Sequence, residues 1–285
     1  AANNTAVGSS SLACNTTGAS NVAVGAEALD ANTTGAENTA VGRFALTSNT
    51  EGDENTAVGR YSLGTNTTGE KNTALGHSTI ENNTTGDFNV GIGHGALQAN
   101  TTADNNTAVG YQSLDANTEG HSNVAVGKGS LSANTSADEN TAVGFNALAD
   151  NTTGHSNVAV GACALITNTT SRDNVGLGFC ALHANTTGSR NAASGSLALD
   201  SNTTACDNTA TGYKALYANT TGAANTAIGN LAGSNVTTGG NNLLLGLDAG
   251  RSGTPSGEIT TQSNRISLGN NSITNAYIRV DWTVT

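Results

Sequence analysis

Apolar, small and polar residues return along this chain with a period of 17. The block "NTAVGRFALTSNTEGDE", residues 38–54, is followed at once by "NTAVGRYSLGTNTTGEK", residues 55–71. An Asn opens each block from Asn4 to Asn242, and we number the block from this Asn as position 1. Position 5 is then always Gly, position 9 is Leu or Ile from Leu12 to Leu216, and position 12 is Asn from Asn15 to Asn219. A strict period without insertions means that each unit contacts its neighbours in the same way.

The pattern inside a block predicts short strands separated by corners. The Val at position 4 and the Leu at position 9 are predicted to point inward while their neighbours point outward, as in a strand. The Gly at position 5 permits the positive φ of a tight corner. The N-T-T-G segment supplies another corner, because Asn and Gly tolerate left-handed backbone. Helical hairpin repeats and propeller blades need roughly 34 residues or more. We therefore predict an all-β fold, a parallel β-solenoid of about 15 coils of 17 residues.

Stacking places each residue about 4.8 Å from the residue 17 positions later, so equivalent side chains form ladders. We expect amide ladders at positions 1 and 12, in which each amide donates to one neighbouring coil and accepts from the other. The expected ladder and corner residues are Asn38, Asn55, Asn72, Asn89, Gly42, Gly59, Gly76 and Gly93. Residues 1–250 are predicted to form a solenoid shaft of roughly 70 Å. Residues 251–285 are predicted to form a small C-terminal β cap that contains Pro255 and Trp282.

Composition and charge narrow the function. Only 11% of residues are charged and 4% are aromatic, so any core must be thin and self-association would bury more surface. A net charge of −11 with no basic stripe argues against a nucleic-acid partner, and no apolar run is long enough to span a membrane. A rod that repeats the same residues in every coil offers no distinctive catalytic constellation, so we expect no enzyme activity, cofactor or metal. Because the chain opens inside a repeat without Met, we expect it to be part of a longer product.

The motifs "NTAVG" and "NVAVG" with Asn-Thr-Gly turns resemble the head repeats of trimeric autotransporter adhesins, which carry "SVAIG"-like units. That resemblance implies a left-handed parallel β-roll with three chains to a fibre. The whole unit, over residues 4 to about 250, is still more similar to repeats of phage tail-fibre proteins. The likeness implies a homotrimer in the tail fibre of a virion, with other tail proteins and a host-surface glycan or protein receptor as partners.

The last segment, "NRISLGNNSITNAYIRVDWTVT", resembles the region that precedes the self-cleaving intramolecular chaperone of endosialidases and many phage tail fibres. The resemblance implies that residues 251–285 lock three chains together and that the mature chain ends at Thr285, where such a chaperone is cut away.

Side chains at the variable positions of the block are candidates for receptor contact, because these positions should face outward. Aromatic faces at positions 6 and 7 could dock sugar rings; the alternative, which we favour, is that they pack between chains or cover the core. The candidates are Phe44, Tyr61, His77, His94, Tyr111, Phe145, Phe179 and Tyr213.

Acidic residues gather at positions 16 and 17: Glu37, Asp53, Glu54, Glu70, Asp87, Asp104, Asp138 and Glu139. Ca²⁺ could relieve their mutual repulsion, but a solvated edge that keeps rods apart is the interpretation we favour. Cys163 and Cys180 share position 7 of successive coils, within disulfide range, and the sequence leaves open whether they are bridged. The histidines form no predicted metal triad.

We therefore expect a structural and adhesive fibre that mediates host attachment. The first alternative is the head of a bacterial trimeric surface adhesin. The second is an ice-binding or filament-forming β-solenoid that uses the row of Thr at position 13, from Thr16 to Thr237.

Overall fold

The fold is known from a computed structural model that describes residues 2–254 and 256–273. The described residues contain no helix; they form one sheet of sixteen parallel strands of three residues each, paired strictly in chain order. The prediction of an all-β parallel β-solenoid is confirmed. The strands are β1 Thr5–Val7, β2 Val22–Val24, β3 Thr39–Val41, β4 Thr56–Val58, β5 Thr73–Leu75, β6 Val90–Ile92, β7 Thr107–Val109, β8 Val124–Val126, β9 Thr141–Val143, β10 Val158–Val160, β11 Val175–Leu177, β12 Ala192–Ser194, β13 Thr209–Thr211, β14 Thr226–Ile228, β15 Leu243–Leu245 and β16 Ile266–Leu268.

Register follows the 17-residue block. From β1 to β15 each strand residue pairs with the residue 17 positions later, as Thr39 does with Thr56. Outside the strands, backbone hydrogen bonds also run mostly between coils; the Phe44 N–H, for example, donates to the Ala26 carbonyl at 3.1 Å. The coils therefore satisfy each other's backbone groups almost residue by residue, which a three-residue strand alone could not do.

The corner after each strand requires glycine. Gly42 has a φ of 137°, and a Cβ there would lie 2.6 Å from the Gly59 carbonyl oxygen of the next coil. Side chains are excluded at position 5 both by this backbone conformation and by the close approach of the next coil.

Left-handed backbone is also used by residues with side chains. In the third coil Phe44, Leu46 and Glu54, at positions 7, 9 and 17, have φ of 62°, 51° and 57°. Each such residue costs roughly 1–2 kcal/mol. The conformation is held because the N–H of each residue is fixed by a carbonyl of an adjacent coil, at 3.1 Å in all three cases. Sequence reasoning expected left-handed backbone only at Gly and Asn.

The core consists of Ala at positions 3 and 8 and Leu at position 9. Ala40, Ala45 and Leu46 are fully buried, and their equivalents continue along the shaft. The prediction that the position-4 Val column faces the core is wrong, because the strand alternates the other way and turns Ala inward. Space explains the choice: a Cβ on Gly91, which occupies position 3, would lie 2.7 Å from Ile80 Cγ1. A Val cannot fit where the position-9 side chain already fills the interior.

Large and small residues exchange places at the C-terminal end of the shaft. Gly233 and Gly250 occupy position 9 there, while Leu244 replaces Ala at position 3 and is buried. A Cβ on Gly233 would lie 2.4 Å from Leu244 Cδ1, and one on Gly250 would lie 2.9 Å from Leu244 Cδ2. The Leu from position 3 thus occupies the volume that position 9 fills elsewhere, which keeps the core volume nearly constant.

The sheet continues past residue 250, where sequence analysis placed the start of a cap. β16 pairs in parallel with β15, with Leu243 opposite Ile266, so the spacing there is 23 residues instead of 17. The Arg265 N–H donates to Asn242 Oδ1 at 2.9 Å, as in the regular coils. The coil that begins at Asn242 is therefore six residues longer than a regular coil. Pro255 and residues 274–285, which include Trp282, lie outside the described residues.

Two columns of buried Asn side chains run along the rod. At position 12, Asn49 Nδ2 donates to Asn32 Oδ1 at 2.9 Å and to the Gly52 carbonyl at 3.0 Å, which makes an amide-to-amide ladder. At position 1, Asn38 Nδ2 donates to the same Gly52 carbonyl at 2.8 Å, while Asn21 Oδ1 accepts the Asn38 backbone N–H at 2.9 Å. Asn55, Asn72 and Asn89 repeat the position-1 pattern. The position-1 and position-12 side chains of one coil thus donate to the same position-15 carbonyl, which ties the two ends of the coil together.

Candidate functional site

The eight candidate contact residues lie on one ridge, just after the glycine corner. His77 and His94 are exposed, Phe44 and Tyr61 are half-buried, and Tyr111, Phe145, Phe179 and Tyr213 are 45–56% exposed. All eight face away from the Ala and Leu core. The structure therefore brings them together as a surface ridge along the rod.

Three of the four contacts between successive rings from Phe44 to Tyr111 are stacked. Ring centroids lie 5.0 Å apart for Phe44 and Tyr61, 5.1 Å for His77 and His94, and 5.5 Å for His94 and Tyr111, with nearly parallel planes. Tyr61 meets His77 edge to face at 6.4 Å. Because these rings cover each other's faces, the run from Phe44 to Tyr111 presents mainly ring edges to solvent. Sugar stacking on ring faces, which the sequence offered as the less favoured of two interpretations, is hindered there.

The remaining rings stand two coils apart. Phe145, Phe179 and Tyr213 alternate with the small residues Ala162 and Ser196 at position 6. The Lys128 ammonium lies between the rings of Tyr111 and Phe145, at 5.8 and 5.9 Å from their centroids. In this part of the ridge a group can therefore reach the faces of two rings at once.

The outward side of the sheet is an apolar face that sequence analysis missed. In most coils position 2 carries Thr or Val, and position 4 carries Val, Leu or Ile. Leu75 and Ile228, both at position 4, are 46% exposed. We call these two columns, from Thr5 to Leu268, the strand face. The regular T-A-V alternation indicates that one side of the strand faces outward. Which side faces inward can be assigned only after the position-9 Leu is placed in the core.

The aspartates at position 16 accept hydrogen bonds from the backbone of the preceding coil. Asp53 Oδ1 accepts the Ala36 N–H and Asp87 Oδ1 the Glu70 N–H, both at 2.7 Å. Asp138 does the same for His121 at 2.7 Å. Within the described residues no group of three or more His, Cys, Asp or Glu side chains is placed to hold a metal ion. These carboxylates thus have a structural use in the stack.

Cys163 and Cys180 are free thiols on neighbouring coils. Burial, and after it the proximity of Cys163, raises the pKa of the Cys180 thiol, so it is a poorer nucleophile than an ordinary thiol at neutral pH.

The Thr row at position 13 is engaged in internal bonds. Thr33 Oγ1 donates to the Thr50 carbonyl at 2.9 Å, and Thr67 Oγ1 to the Thr84 carbonyl at 2.9 Å. Such hydroxyls are committed to the adjacent coil, which weakens their use as an ice-binding row.

One pocket of the described part of the chain combines charged, amide and aromatic groups. It opens beside the ridge at the seventh to ninth coils, has a volume of about 430 Å³ and is lined by Tyr111, Gln112, Asp115, Lys128, Asn146 and Asp150 among others. Asp115 sits at position 10, where burial of its carboxyl raises the pKa above its ordinary value. Except for Tyr111, these residues were not singled out from sequence, because each looks like an ordinary variable position.

Comparison with protein-family models gives no match, and no curated protein matches the chain. None of the described residues belongs to a helix long and apolar enough to cross a membrane. We therefore infer function from the geometry of this chain alone.

Proposed function

We propose that the chain is the shaft of a homotrimeric attachment fibre, a tail fibre or related virion appendage. The observation that carries the proposal is the strand face. Its position-4 column carries only Val, Leu or Ile from Val7 to Leu177, and soluble monomers rarely expose contiguous apolar patches above a few hundred Å². Three copies that turn this face toward a common axis would bury it.

The ridge supports an adhesive role. It lies on the part of each coil that follows the strand, so joining copies through the strand face leaves the ridge accessible. A stiff rod that repeats weak contacts gains avidity when several engage together. The proposal gives the chain a mechanical and adhesive role rather than a catalytic one.

Immunogold electron microscopy with an antibody against the chain tests this function. We expect labelling of fibres that project from virus particles, and we expect the purified chain to compete with those particles for host cells. Labelling of bacterial surfaces would instead favour the adhesin head. Labelling of neither would contradict an attachment fibre.

The ice-binding alternative moves from the Thr row at position 13 to the strand face, where Thr39, Thr56 and Thr73 stand in register at position 2. Thermal hysteresis by the purified chain would support it. Its absence, together with self-association, favours the fibre.

A further inference from the structure

Cys163 and Cys180 occupy position 7 of the tenth and eleventh coils. Both have left-handed backbone, with φ of 57° and 51°. The Cys163 N–H donates to the Phe145 carbonyl at 2.9 Å. The Cys180 N–H donates to the Ala162 carbonyl at 3.0 Å, one coil further along. The two cysteines therefore share one backbone conformation and lie directly over one another in the stack.

Side chains at position 7 project in parallel from successive coils. The Phe44 and Tyr61 rings, at this position in the third and fourth coils, lie 5.0 Å apart between centroids, with 8° between their planes. Stacked residues of adjacent coils are about 4.8 Å apart, which is within the Cα···Cα range of disulfides, roughly 4.4–6.8 Å. Burial raises the pKa of the Cys180 thiol and the Cys163 thiol raises it further, so the two sulfur atoms are close enough to interact.

The other two cysteines have no thiol in the adjacent coils. Cys14 is at position 11 of the first coil, and the residue 17 positions later is Ala31. Cys206 is at position 16 of the twelfth coil. The equivalent residues before and after it are Ser189 and Ala223. The chain therefore places one pair of thiols together and keeps two single thiols as internal controls.

We propose that Cys163 and Cys180 form a covalent modification site, at which a small-molecule disulfide such as oxidised glutathione converts the two thiols into a bond between neighbouring coils. Both cysteines are free and half-buried in the structure, so a reagent can reach them from solvent.

The reaction is thiol–disulfide exchange in two steps. One cysteine thiolate attacks a sulfur atom of the external disulfide, which breaks that bond and releases one small thiolate. The second cysteine thiolate then attacks the protein sulfur of the mixed disulfide and releases the other small thiolate. The two cysteines lose two electrons and two protons, and the external disulfide is reduced to two thiols.

The spacing of the coils makes the bond reversible. Disulfide Cβ atoms usually lie about 3.5–4.5 Å apart, which is less than the coil spacing of about 4.8 Å. The two coils must therefore move slightly closer when the bond forms. Strained and exposed disulfides are reduced more readily than structural ones, so the pair is suited to a bond that follows the redox conditions around the rod.

This inference does not rest on the proposed function, although the two are compatible. Position 7 lies on the ridge side of each coil, so copies joined through the strand face keep their thiols apart. The bond is therefore expected within one chain. An attachment fibre outside a cell would also meet the oxidising conditions in which disulfides persist.

Oxidised glutathione, added to the reduced and folded chain at mildly alkaline pH, tests the site. The alkaline pH is chosen because the pKa of the Cys180 thiol is raised by burial and then by Cys163. Remaining thiols are blocked with iodoacetamide in denaturant, and the chain is digested with trypsin. Cleavage after Arg172 separates the two cysteines into peptides 129–172 and 173–190. We expect mass spectrometry to find these peptides joined, and dithiothreitol should separate them.

Cys163→Ser is the matched control. Cys180 should then carry glutathione as a mixed disulfide, because no second thiol is near enough to displace it. Cys14→Ser should form the bond like wild type. Recovery of Cys163 and Cys180 from the wild-type chain on separate peptides, blocked or carrying glutathione, overturns the inference. A bond between two copies, seen as a doubled mass on a non-reducing denaturing gel, overturns it too.

Discussion

At the scale of the residue, each coil depends on a few side chains that only one residue type can supply. Gly at position 5 combines left-handed backbone with contact to the next coil, and Asn at positions 1 and 12 satisfies buried backbone groups. These requirements explain why the Gly column is unbroken from Gly8 to Gly246 while positions 6 and 7 vary freely.

Gly42→Ala tests the corner. A Cβ at Gly42 would lie 2.6 Å from the Gly59 oxygen at a φ of 137°, so we expect a loss of about 2–4 kcal/mol in the free energy of unfolding. Urea denaturation followed by circular dichroism measures it. Gly64→Ala is the control, because its Cβ would lie 3.3 Å from the nearest atom and Ala13 and Ala149 already occupy position 10. Equal losses in the two variants would contradict the account.

Asn140→Ala tests the amide columns. The substitution removes a side chain that donates to the Gly154 carbonyl at 2.9 Å and accepts the Asn157 N–H at 3.0 Å. Leaving buried groups unpaired should cost about 2–4 kcal/mol, again by urea denaturation. Asn82→Ala, at exposed position 11 where Ala is common, should be nearly neutral. A neutral Asn140→Ala would show that the column does not stabilise the rod.

The stability of the fold should depend on pH in opposite directions through two carboxylates, those of Asp115 and Asp207. Burial raises the pKa of Asp115, so its ionisation reduces stability as pH rises above the unfolded value, about 3.9. The hydrogen bond from Arg190 lowers the pKa of Asp207, so its contribution is present above that value and is lost as pH falls through the folded pKa. In thermal melts between pH 3 and 7, the Tm of Asp115→Asn should rise relative to the wild-type Tm as pH rises. The Tm of Asp207→Asn should fall relative to the wild-type Tm over the same range. The same trend in both variants would contradict these assignments.

At the scale of the element, a three-residue strand is too short to be stable by itself. Its conformation is determined by the strands and loops of the adjacent coils. The same holds for the core, where a side chain at position 3 and one at position 9 share a single volume. Leu244 with Gly233 and Gly250 shows the exchange within one chain.

A double-mutant cycle tests this shared volume. Leu244→Ala alone should cost about 2–5 kcal/mol through a cavity, and Gly233→Leu alone about 1–3 kcal/mol through overpacking. The double variant restores the consensus pairing of Ala with Leu, so it should be more stable than the sum predicts by at least about 1 kcal/mol. Additive losses by urea denaturation would contradict shared packing.

The solenoid was predictable because the period, the Gly column and the Asn columns each demand stacking at a fixed interval. The inward side of the strand was not, since T-A-V alternates equally well in either direction and only the space left by the position-9 Leu decides. The pocket was not predictable either, because it arises where Gly129, Ser132 and Ala149 adjoin across two neighbouring coils.

At the scale of the whole molecule, we propose two functional sides for the rod. The strand face is apolar and suited to other copies, while the ridge and the pocket carry rings, amides and charges suited to a receptor. The net charge of −11 opposes unspecific clustering of rods and leaves the strand face as the favoured contact.

The mass of the chain in solution, measured by multi-angle light scattering, tests the central claim most directly. We expect three times the mass of one chain for wild type. A variant with Val109→Lys, Val126→Asp and Val143→Lys should have the mass of a single folded chain. The alternating charges can pair between neighbouring strands of the same chain, so the chain should still fold. Charged side chains are costly to bury, so the variant strand face should not pack against other copies. The same charges at exposed position 14, in Thr85→Lys, Thr102→Asp and Glu119→Lys, should leave the trimer intact. A wild-type monomer, or a strand-face variant that stays trimeric, would contradict the account.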